Sequence, residues 1–267
     1  MAEDRFALDG RTMVVTGGLG QLGRAFVRAL LDAGARVAVI DAADPTSADF
    51  GAGEDRVKVF QADITQRAQL EGVLGAIEAD WGTPHGLVNN AALDSPPDSP
   101  ASENGPFEDY PEASFDRVMA VNVKGTVLCC QVFGGAMARA GRGAIVNIGS
   151  IYGQLSPDQG LYQYRRDRGE TFFKPVAYSV SKSAVLNLTR YLAAYWGKAG
   201  VRVNTLTFAG VFNSQEEAFL QPYCRKVPMG RMAEPEDYEG PVIFLLSDAA
   251  RYMTGANLVV DGGFTAI

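Results

Sequence analysis

Tyr178 and Lys182 lie four residues apart in the helix-like segment AYSVSKS, a spacing that places both side chains on one helix face. A phenol with a pKa of about 10 is a poor acid–base group at neutral pH, and a nearby ammonium group lowers that pKa. Alone, such a pair is also typical of an exposed helix. Ser150, at the end of AIVNIGS, and Asn122, in VMAVNVKG, favour the chemical interpretation. Together the four residues could transfer a proton to or from a substrate oxygen.

A glycine-rich loop, TGGLGQLG from 16 to 23, directly follows the apolar run MVV and opens a helical pattern. Gly17 would permit a tight turn, Gly20 would let the backbone approach a pyrophosphate, and Gly23 would let helix and strand pack closely. The helix N-terminus adds free N–H groups and the positive end of a dipole. A plain tight turn is the alternative, but the strand–loop–helix context predicts a dinucleotide site.

Asp41 strengthens that prediction because it ends the run ARVAVID, 24 residues after Gly17. A carboxylate at this point accepts hydrogen bonds from the ribose hydroxyls of NAD and repels the 2′-phosphate of NADP. No Lys or Arg lies between Gly17 and Gly23, although Arg24 and Arg36 are near in sequence. A solvated acid at a strand end is the alternative. The pattern therefore favours NAD, with NADP as the second choice.

Together these motifs resemble the short-chain dehydrogenase/reductase family, and the resemblance extends from the glycine loop to VVDGG near the C-terminus. It implies reversible NAD-dependent interconversion of a secondary alcohol and a ketone. By the resemblance, Tyr178 is the proton donor or acceptor and Ser150 holds the substrate oxygen. Lys182 binds the nicotinamide ribose and lowers the pKa of the tyrosine, while Asn122 anchors a water in the proton relay.

The same resemblance implies a larger set of cofactor contacts. Asp63, in QADIT, matches the acid beside the adenine, and Asn90 matches the segment that supports the adenine side of the sheet. The implied cofactor-binding residues are Gly17, Leu19, Gly20, Gln21, Leu22, Gly23, Asp41, Asp63, Ile64, Asn90, Ala91, Tyr178, Lys182 and Val211.

Three details depart from the family pattern. Gln21 stands where most compact members carry glycine, and Ala209 replaces the proline of the Pro-Gly that follows the sixth strand. The usual threonine that touches the nicotinamide carboxamide has no clear equivalent, and Asn213 or Ser214 could substitute for it. The change at Gln21 concerns loop detail rather than cofactor binding itself.

The elements that must position these residues alternate along the whole chain. Short runs rich in Val and Ile, apolar on both faces, alternate with helical patterns, as parallel strands covered by helices on each side do. The pattern predicts about seven strands and about six helices in an α/β, doubly wound parallel sheet, the Rossmann fold. No linker interrupts it, so residues 1–267 are predicted to form a single domain.

Two long segments interrupt the alternation, and both follow strands. One, 93–113, holds five of the 13 prolines, and the other, 151–176, joins the Ser150 strand to the Tyr178 helix. Long loops in a compact domain are usually lids, binding loops or disorder. Tyrosines and basic residues in 151–176 suggest a polar, anionic substrate or an activated sugar, bound by Ser150, Tyr178, Arg165 and Arg166. The alternative is a solvated loop or a subunit contact.

Two other functional classes remain open. Ser179 and Lys182 satisfy the S-x-x-K pattern of some serine hydrolases, but Ser150 lacks the flanking glycines of a nucleophile elbow. The single histidine, His85, precedes its strand and so belongs at the opposite end of the sheet from Ser150. A module that senses NAD without turnover is the third class. Such a module is expected to have lost part of the catalytic set of Tyr, Lys and Ser, whereas this sequence has all three.

Composition bounds the partners and the compartment. The net charge of −7, from 24 Lys and Arg against 31 Asp and Glu, argues against a nucleic-acid partner. Three cysteines form no credible disulfide framework, and no uninterrupted apolar stretch approaches the about 18 residues of a membrane span. With one histidine, a His-cluster metal site is excluded. We therefore expect a cytoplasmic protein with a small-molecule substrate and no membrane or metal, and the family resemblance implies a homo-oligomer, either tetramer or dimer.

Overall fold

The computed structural model describes residues 4–45, 50, 54–94 and 103–267. Within these ranges, seven parallel strands form one sheet in the order β3-β2-β1-β4-β5-β6-β7. The strands are β1 Thr12–Thr16, β2 Arg36–Asp41, β3 Val57–Gln61, β4 Gly86–Asn89, β5 Gly143–Ile148, β6 Val201–Phe208 and β7 Asn257–Val260. The predicted fold class and the seven strands are confirmed.

Helices cover both faces of this sheet. They are α1 Gln21–Asp32, α2 Arg67–Trp81, α3 Glu112–Arg139, α4 Gln163–Asp167, α5 Val176–Trp196, α6 Glu217–Cys224 and α7 Glu239–Leu246. Helix α3 is continuous but widens into π-helical turns at Ala120–Gly125 and Cys130–Gly134. The sequence predicts about six helices, and the described residues form seven, among them α4 and α6, two short helices in segments that the pattern does not indicate as helical.

Alternation along the central strands divides the core into two layers. In β1, Val14 packs into the layer formed with α2, α3 and α5, whereas Met13 and Val15 pack into the layer formed with α1 and α7. Successive side chains of a strand point to opposite faces, so a strand covered on both sides must be apolar at every position. The continuous apolar runs of the sequence follow from this double coverage.

The order of the strands locates the candidate site. The chain turns back between β1 and β4, which are neighbours in the sheet although β2 and β3 separate them in sequence. In open parallel sheets, ligands bind at the carboxyl ends of the strands where the order reverses. The glycine loop follows β1, and Asn90 and Ala91 follow β4, so the motifs meet at this crevice.

The segment 151–176, which we call the insert, is folded rather than extended. It contains two 3₁₀ turns, Ile151–Gly153 and Gln159–Tyr162, and helix α4. Its buried Tyr162 and Phe172 pack with Tyr223, which lies on α6, in a third apolar cluster. The insert is therefore joined to the segment after β6. Of the proline-rich segment 93–113, residues 95–102 lie outside the described part of the chain.

Helix α3 is the one helix of the described residues that is long and apolar enough to cross a membrane by length and composition. Its apolar window is 56% buried inside the protein, where the helix packs against the core. Core helices of soluble proteins pass the same test. The feature is therefore only a weak indication of a membrane span.

Candidate active site

The loop between β1 and α1 forms a cradle in which side chains have almost no room. A Cβ atom at Gly23 would lie 2.1 Å from the carbonyl oxygen of Gly17, and a Cβ at Gly17 would lie 2.8 Å from the Cα of Ala91. Gly17 also has a φ of +63°, in the left-handed region that favours glycine. At Gly20, the N-terminal cap of α1, an added Cβ would lie 3.4 Å from the nearest atom, the carbonyl oxygen of Gly17, which is ordinary van der Waals distance, and the residue is exposed.

A dinucleotide fits this cradle. No side chain caps the N-terminus of α1, so the first-turn N–H groups keep the partial positive charge that attracts a pyrophosphate. Asp41, at the end of β2, has one carboxylate oxygen 2.9 Å from the N–H of Leu19 and the other 3.0 Å from the N–H of Ala43. The carboxylate is thus fixed beside the glycine loop, at the position predicted for a ribose-binding acid.

The other residues implied as cofactor contacts surround the same edge. Asn90 ties β4 to the loop, because its side-chain amide donates to the carbonyl oxygens of Thr16 and Gly17. Asp63 follows β3 and accepts a hydrogen bond from the N–H of Thr65, while the next residue, Ile64, is buried in the core. Gln21 donates to the carbonyl of Phe212, next to Val211, and so joins α1 to the segment after β6. Leu19 and Leu22 are half-buried and pack against the core layer of α1 and α7.

Ser150, Tyr178 and Lys182 converge at the carboxyl end of β5. The Ser150 hydroxyl hydrogen-bonds the Tyr178 phenol and accepts from the N–H of Tyr152. Lys182 lies one turn further along α5, is buried, and donates from Nζ to the carbonyl oxygen of Ile148 at 2.8 Å. Its Nζ is 5.7 Å from the centre of the Tyr178 ring. The structure thus brings the three predicted catalytic groups together.

Burial dominates the electrostatics of Tyr178. Burial raises the pKa of Tyr178 well above its ordinary value, the Asp94 carboxylate raises it further, and the hydrogen bond with Ser150 opposes both effects. Burial also lowers the pKa of Lys182 to about 8, with Asp94 opposing. Lys182 is not among the groups that shift the pKa of Tyr178 here, and burial of the phenol is the largest cause of the raised value. The predicted lowering of the tyrosine pKa by Lys182 therefore stays a prediction.

Asn122 lies in the first π-helical segment of α3, and its side chain is fully engaged. It accepts from the N–H of Leu93 at 2.7 Å, and its amide donates to the carbonyl oxygen of Leu93 and to the Ser181 hydroxyl. Asn122 therefore links the chain after β4 to α5, the helix that carries Tyr178, by hydrogen bonds. Its predicted role in holding a water stays a prediction, and this link between two segments is an additional role that the motif does not reveal.

Asp94 is the functional candidate that sequence reasoning misses. Its carboxylate accepts a hydrogen bond of 2.5 Å from Nζ of Lys174, and this Nζ lies 5.2 Å from the centre of the Tyr178 ring. One observation could have pointed to Asp94: it follows closely after β4, at the carboxyl edge of the sheet. Its partner is 80 residues away, so the pair itself is invisible in the sequence.

Arg165 and Arg166, predicted to bind substrate, are bound within the insert. The guanidinium group of Arg165 pairs with Glu170 and lies over the Phe172 ring. Arg166 donates to the carbonyl oxygens of Gln159 and Phe172 at 2.7 and 2.8 Å, and to the Gln163 side chain. These contacts brace the fold of the insert, and the predicted binding of a substrate by the two arginines stays a prediction.

The hydrolase alternative finds no support in the geometry. Lys182 is bonded to the Ile148 carbonyl, and the buried hydroxyl of Ser179 has no hydrogen-bond partner in the described structure. His85 lies at the amino edge of the sheet, where its Nδ1 accepts from the N–H of Thr12. Burial and three neighbouring arginines lower the pKa of His85 to about 4. The histidine is thus at the opposite edge from Ser150, as expected.

Comparison with known proteins agrees with this geometry. A family model described as enoyl-(acyl carrier protein) reductase matches residues 20–265. D-threitol dehydrogenase of Mycolicibacterium smegmatis is 33% identical over 97% of this chain and 95% of its own length.

Two solved structures show the same fold over nearly the full chain. A short-chain dehydrogenase from Leptospira borgpetersenii serovar Hardjo-bovis, with bound NAD⁺, superposes with a TM-score of 0.87 at 34% identity, covering 99% of this chain and 97% of that one. A gluconate 5-dehydrogenase from Burkholderia cenocepacia, in complex with NADP and tartrate, gives a TM-score of 0.85 at 26% identity, covering 99% and 98%. The relatives thus include binders of either cofactor.

Proposed function

The chain belongs to the short-chain dehydrogenase/reductase family, and on that premise we propose that it interconverts a secondary alcohol and a ketone of a polar, sugar-like substrate with NAD. An NAD(P)-dependent oxidoreductase acting on CH–OH groups is the activity that the family establishes. The choice of NAD, the substrate class and the roles of individual residues are the proposal.

The observation that carries the proposal is the convergence of Ser150, Tyr178 and Lys182 next to the glycine cradle. In the oxidation direction, the Ser150 hydroxyl holds the substrate oxygen and the Tyr178 phenolate accepts its proton. Lys182 supplies positive charge beside the phenolate and binds the ribose of the cofactor. NAD, when bound, supplies the redox chemistry by accepting the hydride of the carbinol carbon.

Position supports Tyr178 as the proton-transfer group. It lies in the first turn of α5, where the positive end of the helix dipole favours a negative charge. Its raised pKa keeps the phenol protonated at neutral pH when the site holds no cofactor. A protonated phenol is the form that donates a proton to the oxygen of a ketone. The protein without cofactor therefore holds Tyr178 in the form that ketone reduction needs.

Asp41 supports the preference for NAD. Its carboxylate is held by the N–H groups of Leu19 and Ala43, so it cannot turn away from an incoming ribose without losing two hydrogen bonds. A 2′-phosphate placed at the same point would face this fixed negative charge. One relative carries NAD⁺ and another NADP, so the cofactor is assigned from the residues of this chain.

Removal of one hydroxyl tests the chemistry. Tyr178→Phe keeps the ring and removes the proton-transfer group, so turnover should fall by roughly 10²- to 10⁴-fold, the range of general acid–base catalysis. NADH binding, measured by fluorescence titration, should survive. Tyr252→Phe, at a fully exposed tyrosine, is the control. Undiminished turnover in Tyr178→Phe would remove this tyrosine from the mechanism, and cofactor binding without turnover of any alcohol or ketone would favour the NAD-sensing alternative.

A two-residue change tests the cofactor preference. Asp41→Ala combined with Ala42→Arg removes the carboxylate and adds a cation beside the predicted ribose position. The ratio of the Kd values for NADH and NADPH should then move toward NADPH. Tighter binding of NADPH than of NADH by the unmodified protein would contradict the proposal.

We also propose that the protein works as a homo-oligomer in the cytoplasm, with residues 1–267 forming one domain. Val180, Tyr191 and Tyr195 lie on one face of α5 and are exposed, which favours a second copy of the chain as partner. The three cysteines are free, as is usual in a reducing compartment. The single sheet, to which all seven described strands contribute, supports the one-domain assignment.

A further inference from the structure

An ion pair lies against the proton-transfer group and has no part in the proposed chemistry. Nζ of Lys174 is 2.5 Å from the Asp94 carboxylate, and only 8% of the Lys174 side chain is exposed. The same Nζ is 5.2 Å from the centre of the Tyr178 ring, close to the 5.7 Å of Lys182. Two ammonium groups therefore flank the reacting phenol, one of them neutralised by a carboxylate.

Partly buried hydrogen bonds fix the backbone beside each partner of the pair. On one side, Asn122 fixes the backbone N–H and C=O of Leu93, the residue before Asp94. On the other side, the Gln159 side chain fixes the backbone of Lys174 through two bonds of 2.9 and 3.0 Å. These bonds fix the backbone at both ends of the pair, while the low exposure of Lys174 restricts its side chain. Preorganisation of this kind is typical of binding groups.

The polar groups around Tyr178 favour hydroxyl recognition over recognition of an anion. Besides burial, the negative charge of Asp94 raises the pKa of Tyr152, Tyr162 and Tyr178, so its carboxylate lies in the neighbourhood of the three phenols. The phenols of Tyr152 and Tyr162 are hydrogen-bonded to each other. Phenol, carboxylate and ammonium together supply donors and acceptors with little net charge.

The basic residues of the insert are already bound to groups of the protein. Arg165 pairs with Glu170, Arg168 pairs with Glu216, and Arg166 donates to backbone carbonyls. Lys174 in turn is paired with Asp94. A substrate carboxylate or phosphate would therefore have to displace an existing partner and would meet the negative charge of Asp94.

We infer that the Asp94–Lys174 pair is the specificity-determining subsite for a neutral polyol, binding the hydroxyl next to the carbinol that reacts at Tyr178. This inference rests on the proposed function and names the substrate class of that site. A hydroxyl group is both donor and acceptor, so it can donate to the Asp94 carboxylate while it accepts from the Lys174 ammonium. An alkyl group at that position would make no hydrogen bond to Asp94 or Lys174. A substrate carboxylate there would be repelled by Asp94.

Three alcohols that share one reacting group test the inference. Butane-2,3-diol, butan-2-ol and lactate all contain CH₃–CH(OH) and differ in the neighbouring group, which is a carbinol, a methylene or a carboxylate. The kcat/KM with NAD is measured for each on the unmodified protein and on Asp94→Asn, Lys174→Met and the double variant. The unmodified protein should prefer the diol to butan-2-ol and to lactate by at least about 10-fold, since charge-assisted bonds to a hydroxyl are at stake.

The informative quantity is the ratio of kcat/KM for diol and butan-2-ol, because any effect of the variants on Tyr178 itself cancels in it. The ratio should fall roughly 10- to 100-fold in Asp94→Asn and in Lys174→Met, and no further in the double variant. Lys174→Arg, which keeps the cation, should recover part of the ratio. Asp158→Asn and Lys226→Met each remove one partner of an exposed ion pair, 2.7 Å apart, that joins the insert to the segment after α6, and each should leave the ratio unchanged.

A second measurement separates this inference from the proposed function. The thermal midpoint of the NADH-bound protein is measured with each of the three compounds, which requires no turnover. The diol should raise the midpoint of the unmodified protein and not that of Asp94→Asn. Absence of turnover combined with this pattern would overturn the proposed reaction and keep the polyol subsite. An unchanged ratio and equal midpoints in Asp94→Asn, or a preference for lactate, would overturn the subsite.

Discussion

At the scale of single residues, the site places a buried phenol and two largely buried ammonium groups beside a carboxylate that is half exposed. Burial acts in opposite directions on the two kinds of group: it raises the pKa of Tyr178 and lowers that of Lys182 to about 8, because each loses the water that stabilises its charged form. The Asp94 carboxylate adds to the increase in the pKa of Tyr178 and opposes the decrease in the pKa of Lys182. The carboxylate thus stabilises the protonated state of both groups.

These shifts predict the pH dependence of the reaction. Oxidation needs the phenolate of Tyr178, and since its pKa is raised, the phenolate fraction and kcat/KM for oxidation should increase with pH through the neutral range and into the alkaline range. Asp94→Asn removes one cause of the increase in pKa, so the profile should move to lower pH. The profiles of kcat/KM against pH for the two proteins give the measurement.

Asp158→Asn is the matched control for that profile. Asp158 is exposed and is not among the groups that shift Tyr178, so its neutralisation should leave the profile in place. A profile that shifts equally in both variants would show that the general charge of the protein, rather than Asp94, sets the pKa of Tyr178.

At the scale of elements, the turn from β1 into α1 depends on backbone contacts that only glycine permits. At Gly23 an added Cβ would enter the space of the Gly17 carbonyl, whereas at Gly20 it would reach ordinary contact distance. Gly20 also has an ordinary extended conformation, with φ −74° and ψ 171°. Gly23 is thus required by the fold, whereas Gly20 leaves room for a ligand.

Two alanine substitutions should separate these roles. Gly23→Ala should destabilise the protein by about 1–3 kcal/mol through overpacking and should also impair NADH binding. Gly20→Ala should change the free energy of unfolding by less than about 1 kcal/mol but weaken NADH binding, since the pyrophosphate is expected next to this residue. Urea denaturation and NADH fluorescence titration give the two quantities. Normal NADH affinity in Gly20→Ala would place the pyrophosphate elsewhere.

The insert is the second element whose role the structure decides. Arg166 links the turn Gln159–Tyr162, helix α4 and the chain at Phe172 through one guanidinium group. Arg168, by contrast, is exposed and pairs with Glu216 on the surface. Bonds of a charged group to buried carbonyls contribute far more than an exposed ion pair.

Arg166→Ala should therefore loosen the insert, at a cost of about 2 kcal/mol in local stability from bonds to a charged donor. Limited proteolysis with chymotrypsin measures this, because Tyr162 and Phe172 are buried cleavage positions inside the insert. Arg168→Ala should leave the cleavage rate nearly unchanged. Equal resistance of the two variants would show that the apolar cluster alone holds the insert.

At the scale of the whole molecule, one face of α5 offers an aromatic surface. Tyr191 and Tyr195 are 63% and 67% exposed, and their rings stack with centroids 6.0 Å apart. Val180 lies on the same face three turns earlier. The opposite face of α5 carries Lys182 and packs on the core, so contact between two copies through this helix would also support the catalytic groups.

Charge placed on this face should dissociate the proposed oligomer. Tyr191→Glu combined with Tyr195→Glu puts two carboxylates in the centre of the expected contact, and sedimentation velocity should show a smaller species than the unmodified protein. Tyr252→Glu, at a tyrosine that is fully exposed elsewhere, should not change the sedimentation coefficient. A monomeric unmodified protein would contradict the oligomer itself.

The sequence by itself determines the seven strands, the glycine loop, Asp41 and the set of Ser150, Tyr178 and Lys182. These features depend on local rules: the i,i+4 spacing fixes a shared helix face, and a strand covered on both sides must be apolar throughout. Only the tertiary structure decides that Asp94 pairs with Lys174 and that Arg165 and Arg166 bind within the insert. Contacts between distant segments, and pKa values that sum burial and charge over all neighbours, depend on the folded arrangement, which local spacing does not contain.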